Sequence, residues 1–279
     1  MKNKKPVDSN LYTKEYYIKN NEGWNIFYTS GGKMASYRFN KFCKLAKLKK
    51  GQKILDVGCG RGEIIIQCAL KGIDGLGVDY SADGIGLCNK IKKGFPEKIR
   101  KHMKFLKEDI KEIKLPDEYF DRVFMLDVVE HLHDWELEKS LEKIRKLMKK
   151  NGMFIIHTTP NTDFYRYGYP IIRFMYPVLS LIVPSIKKLI DTKPNWKNKR
   201  FLPKDPEEGQ RYDKGGHINE MNPRRLKKVL KRAGFHPKII LVPFTRDIKG
   251  PLLNAVYLAL SLPLIKNIFC AEIIAVCKT

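Results

Sequence analysis

One stretch constrains this chain more than any other. Lys53–Val57 reads KILDV, an apolar run of strand type. It passes directly into Gly58-Cys59-Gly60-Arg61-Gly62-Glu63 and then into Ile64–Leu70, an apolar run of helix type. Glycines at alternate positions permit positive φ and let the backbone come close to a ligand. A strand, a glycine loop and a helix in this order predict a parallel sheet, because parallel neighbours need a long crossover and a helix is the usual one.

The same alternation continues. Gly75–Val78 reads as a second strand ending at Asp79, and Ser81 is a fit N-cap for a helix over Ala82–Lys92. Lys104–Leu106 is a third strand, ending in Glu108-Asp109-Ile110, and Arg122–Asp127 a fourth. A basic amphipathic helix over Glu136–Lys149 leads to a fifth strand, Gly152–His157. Asn222–Ala233 is a late helix, opened by Asn222-Pro223 and closed by Gly234. Strands Lys238–Val242 and Glu272–Cys277 follow.

The expected fold class is therefore α/β, a doubly wound, seven-stranded, mostly parallel sheet of Rossmann-like type. One domain is expected over 1–279. Its parts are an N-terminal helical cap (1–50), a binding core (51–161), an insertion or lid (162–212) and a C-terminal helix with strands (213–279). An apolar insertion occupies 251–268. Such sheets bind ligands at the carboxyl ends of their strands, near the switch point. That directs attention to Asp56–Gly62, Asp79, Asp109 and Asp127–His133.

The loop itself narrows the ligand. A dinucleotide fingerprint needs a small residue at position 63, which is Glu63, and the Gly-Lys-Ser/Thr of a P-loop is absent. Pyrophosphate is disfavoured. The run ILDVGCGRGE instead resembles motif I of class I S-adenosylmethionine-dependent methyltransferases. The cofactor so implied carries no phosphate, and its ammonium and carboxylate want acceptors and donors. Asp56, Gly58 and Gly60 form the motif. Asp79, with Tyr80 beside it, is placed to take the ribose hydroxyls. Asp109 is placed to accept from the adenine amino group, and Ile110 offers its backbone N–H.

Two further blocks, FDRVFMLDVVEHLHD (Phe120–Asp134) and NGMFIIHTTPN (Asn151–Asn161), resemble the ubiquinone-biosynthesis O-methyltransferases and the methyltransferase-11 group around them. The likeness covers Tyr37–Asn161 and returns at His217–Phe235. It implies Arg38 near the cofactor carboxylate, a backbone contact from Leu126, and membrane contact through the insertion after the fifth strand. Where the family has Glu-x-x-Glu-His, this chain has Asp127-Val-Val-Glu130-His131. The shorter Asp arm speaks against a divalent metal held there, which stands as the weaker cofactor candidate.

Methyl transfer to a hydroxyl needs an aligned acceptor and a base. His131 is the expected general base, with Glu130 orienting it and His217 facing the acceptor. The plainer reading is that Glu130 and His131 brace the start of a helix. His157 reads as packing or as a neighbour of the substrate.

Composition bears on partners. The chain has 279 residues with 54 Lys and Arg against 30 Asp and Glu, a formal charge of +24. This points to something anionic, or to a solvated Lys-rich surface. The six cysteines show no zinc spacing, which suits a reducing cytosol. Tyr169–Ile190 and Pro251–Ile265 are apolar but interrupted by proline, and the first also by cations. Both suit an interfacial element better than a crossing helix. The expectation is a cytoplasmic enzyme, peripheral to the inner face of the membrane, acting on a small-molecule or lipid-like acceptor. The alternative is ribose 2′-O-methylation of RNA. The basic helix Arg224–Arg232 favours it, as does a loose likeness of Asp127, Glu130, His131 and His217 to small-RNA 3′-terminal methyltransferases. No appended RNA-binding module accompanies them.

Overall fold

The computed structural model describes residues 5–19, 23–174, 216–243, 262 and 265–279. Most of the expected insertion (175–212) and of the second apolar stretch (251–261) lies outside these residues. Among the described residues, no helix is long and apolar enough to cross a membrane.

Short helices α1 (Lys14–Lys19), α2 (Trp24–Thr29) and α3 (Tyr37–Leu45) precede the sheet. Then come β1 (Lys53–Val57), α4 (Glu63–Ala69), β2 (Asp74–Asp79), α5 (Ala82–Lys93), α6 (Glu97–Arg100) and β3 (Met103–Lys107). β4 (Phe120–Leu126), α7 (Asp134–Leu147), β5 (Met148–Thr158), α8 (Pro223–Arg232), β6 (His236–Pro243), α9 (Lys266–Phe269) and β7 (Cys270–Lys278) complete the order. The caps follow local chemistry. Ser81 Oγ accepts from Gly84 N–H at the start of α5, and Asn222 Oδ1 accepts from Arg225 N–H at the start of α8.

The seven strands lie in the order β3-β2-β1-β4-β5-β7-β6. β1 pairs in parallel with both β2 and β4, and β7 runs antiparallel between β5 and β6. The sequence winds outward from β1 in one direction and from β4 in the other. The switch point therefore falls between their carboxyl ends, where a crevice must open. Both faces of the sheet are covered. Leu55, Val123 and Phe154 pack against Leu137, Leu141 and Ile144 of α7 and Leu226 and Leu230 of α8. Ile54, Phe124 and Ile155 face Phe42 of α3 and Ile64, Ile65 and Cys68 of α4. β1 is buried on both sides, as an interior parallel strand must be. α7 starts and ends two residues earlier than its period predicts. Met148 pairs with Phe120 across an irregularity, which draws Met148–Lys150 into β5.

Candidate active site

The crevice at the switch point is a cleft open to solvent at its mouth, lined by residues from the carboxyl ends of β1, β2 and β4. Its floor is the glycine loop. Gly58 has φ +69°, and a Cβ there would collide with Val128 Cγ2. Gly60 has φ +50°, and its N–H donates to Asp79 Oδ2 at 2.8 Å. The other Asp79 oxygen accepts Ser81 N–H at 2.9 Å. Asp79 is thus pinned at the end of β2, and its oxygens keep lone pairs for a diol. Burial raises its pKa, which those backbone donors oppose. Asp56 lies beneath the loop, and burial pushes its carboxyl well up, with Asp79 and Glu63 adding to the shift.

The remaining expected cofactor residues line the same cleft: Arg38, Tyr80, Asp109, Ile110 and Leu126. Asp109 is already engaged, with Oδ2 2.7 Å from Lys111 Nζ and Oδ1 accepting Lys111 N–H at 2.9 Å. Arg38 reaches across from α3 to pair with Asp127.

The expected catalytic residues divide. His131 lines the cleft and is 8 % exposed. It sits in a single 3-10 turn, Val129–His131, that follows β4. Its Nδ1 lies 3.1 Å from Gly216 O. Burial lowers its pKa to about 4, and His217 adds to this. The ring is therefore neutral near pH 7, with its proton on Nδ1 donated to the carbonyl and the lone pair on Nε2. Glu130 and His217 do not line the cleft. They stand behind His131, and the two imidazole rings are 4.8 Å apart. Glu130 is fully buried, Oε2 accepts Thr158 Oγ1–H at 2.8 Å, and Oε1 has no hydrogen-bond partner among the described residues. Burial raises Glu130 to about 7, with the Asp127 charge contributing.

Ligand atoms of Glu130, His131 and His217 lie within 4.8 Å of one another. Two imidazoles and a carboxylate with a bare oxygen make a donor set that fits a divalent ion. Asp127 is not among them. Its two oxygens face Arg38 and His157 instead. His157 is accordingly an ion-pair member on β5, neither simple packing nor a lining residue.

The sequence reading overlooked the N-terminal segment. Val7, Tyr12, Tyr16 and Tyr17 line the cleft. Ser81 Oγ donates to Tyr12 O at 2.7 Å, and Lys14 N–H donates to Asp83 Oδ2 at 2.8 Å, tying the segment to the start of α5. Arg61 pairs with Glu63 at 2.5 Å and donates to Tyr17 O at 3.1 Å. The Tyr12 ring meets His131 edge-on, with centroids 5.5 Å apart. The only sequence signal was the aromatic spacing of Tyr12, Tyr16 and Tyr17.

A doubly wound sheet with carboxylates at its strand ends around a glycine loop places this chain in the class of α/β proteins that bind a ligand at the switch point. The chain belongs to the methyltransferase-domain family, which matches residues 34–237. It falls among the class I enzymes whose methyl donor is S-adenosyl-L-methionine. Curated relatives include (S)-coclaurine N-methyltransferase of Thalictrum flavum subsp. glaucum, 29% identical over 52% of this chain and 40% of that protein. Sterol 24-C-methyltransferase ERG6B of Gibberella zeae is 30% identical over 42% of this chain and 30% of that one. Ubiquinone biosynthesis O-methyltransferase of Rhodopseudomonas palustris is 29% identical over 44% and 46%. The chain thus spans under half the length of each. Among solved structures, a SAM-dependent methyltransferase from Archaeoglobus fulgidus shares the fold, with a TM-score of 0.54, 21% identity and coverage of 92% of this chain and 100% of that one.

Proposed function

We propose that the chain transfers the methyl group of S-adenosylmethionine to a hydroxyl oxygen of a small-molecule or lipid-like acceptor. The observation that carries this is His131, neutral and buried, opening onto the cleft that holds Asp79 and the glycine loop. An in-line displacement at the sulfonium methyl leaves a proton on the acceptor oxygen. A lone pair on Nε2 is suited to remove it. Asp79 would hold the ribose, Asp109 and Ile110 the adenine edge, and Arg38 the carboxylate. Asp56, Gly58, Gly60 and Leu126 would line the amino-acid end, with Tyr80 beside the ribose. Glu130 and His217 would set the His131 ring. Were a divalent ion held by these three side chains instead, His131 would be its ligand and not the base, and the ion would lower the pKa of a hydroxyl it touched.

Asp79→Ala should abolish binding of S-adenosylhomocysteine in calorimetry. His131→Ala should keep it and slow turnover by about 10²–10⁴-fold, the range of a lost general base. Chelation with EDTA should leave turnover unchanged if His131 is the base. Normal cofactor affinity in Asp79→Ala would overturn the site.

Membrane association is part of the proposal, supported by the apolar and basic sequence of Tyr169–Lys204. The protein should float with anionic liposomes at low salt and release as salt screens the attraction. A protein that stays at the bottom at low salt retires it. A second reading, RNA ribose 2′-O-methylation, has one observation in its favour. Arg224, Lys227, Lys228, Lys231 and Arg232 form an exposed stripe along α8. Methyl transfer to a defined RNA would select it.

A further inference from the structure

Asp127 ends β4 in the left-handed region, φ +56°, an unusual conformation for a residue other than glycine. Its backbone N–H donates to His157 O at 3.0 Å. Its side chain accepts from His157 Nδ1 on one oxygen and from Arg38 on the other. One residue of β5 therefore grips Asp127 by main chain and side chain together. The other ring nitrogen of His157, Nε2, lies 3.1 Å from Glu272 Oε2 on β7. A neutral imidazole has a single N–H. Both nitrogens here face carboxylate oxygens, so both carry protons and the ring is an imidazolium. It is fully buried, and the Phe42 ring of α3 packs 5.3 Å from it.

Arg38, Asp127, His157 and Glu272 thus alternate in charge from the N-terminal helix α3 to the antiparallel strand β7. Only the first half of this chain reaches the cleft: Arg38 and Asp127 line it. Asp127 shared between two cations cannot neutralise Arg38 fully. The guanidinium keeps positive field toward the cleft and is fixed in direction by a partner that is itself held twice.

We infer that His157 is a positioning residue for cofactor capture, acting through Asp127 to hold Arg38 toward the carboxylate of the cofactor's amino-acid group. This rests on the reading of Arg38 as the partner of that carboxylate. If His157 were uncharged, Asp127 would face one cation in place of two, and the cofactor would meet a guanidinium more fully neutralised.

The test uses two ligands that differ at one end. S-adenosylhomocysteine has the amino-acid group, and 5′-methylthioadenosine keeps the nucleoside and thioether without it. By calorimetry, His157→Gln should bind the first about tenfold more weakly, as expected for a weakened charge-assisted contact, with the second unchanged. Equal losses for both ligands would mean a merely structural role and overturn the inference. No loss for either would overturn it too. Arg38→Gln is the separate control. If it leaves the S-adenosylhomocysteine affinity intact, the reading of Arg38 falls and the inference with it. If it discriminates and His157→Gln does not, only the inference falls. Should His157→Gln fail to fold, ¹⁵N spectra of the unaltered protein near pH 7 decide. Protons on both His157 nitrogens support the inference, and a neutral ring refutes it.

Discussion

At the scale of single residues, two buried histidines are driven to opposite charge states by their neighbours. His131 loses its proton because burial and His217 oppose the cation. His157 keeps its proton to about pH 9 because the Asp127 and Glu272 contacts outweigh its burial. The consequence for stability has a definite sign. A His whose folded pKa rises from 6.5 to about 9 stabilises fully below about pH 6.5, and that contribution fades as pH climbs through 9. The thermal midpoint should therefore drop across this window, and His157→Gln should remove that part of the slope. Neither charge state was legible in the sequence. His131 follows an acidic residue after a strand, and His157 ends an apolar strand. What distinguishes them is two carboxylates and a backbone carbonyl 30, 115 and 85 positions away. No periodicity reports a polar contact of that range.

At the scale of elements, the glycine loop and the strand ends were readable because each depends on local pattern. KILDV is apolar on both faces, as a central parallel strand requires, and the glycines at 58 and 60 take positive φ. Gly58→Ala tests this. A side chain there is strained by φ +69° and collides with Val128, so a cost of about 1–3 kcal/mol is expected. A urea melt should show it, together with loss of cofactor affinity. The N-terminal tyrosines were not readable in this way. Tyr12, Tyr16 and Tyr17 fit any amphipathic helix, and their place over the cleft comes from bonds to Ser81, Asp83 and Arg61, all remote in sequence. The start of β5 escaped for a related reason. Met148–Lys150 continue the helical pattern, and pairing with Phe120 overrides it.

At the scale of the whole molecule, a chain of charge +24 gathers carboxylates around one cleft. Asp56, Glu63, Asp79, Glu108, Asp109, Asp127 and Glu136 all border it, and Glu63, Asp109, Asp127 and Glu136 are paired with the lining cations Arg61, Lys111 and Arg38. The tyrosine segment lines the same cleft. Stitched to the start of α5 by hydrogen bonds from Ser81 and Lys14, and to the glycine loop by Arg61, it would act as a latched door that spent donor must lift to leave. Trypsin should cut near Lys14 or Lys19 slowly when S-adenosylhomocysteine is present and faster without it. A Ser81→Ala protein, with one catch removed, should lose that protection and exchange its nucleoside more quickly.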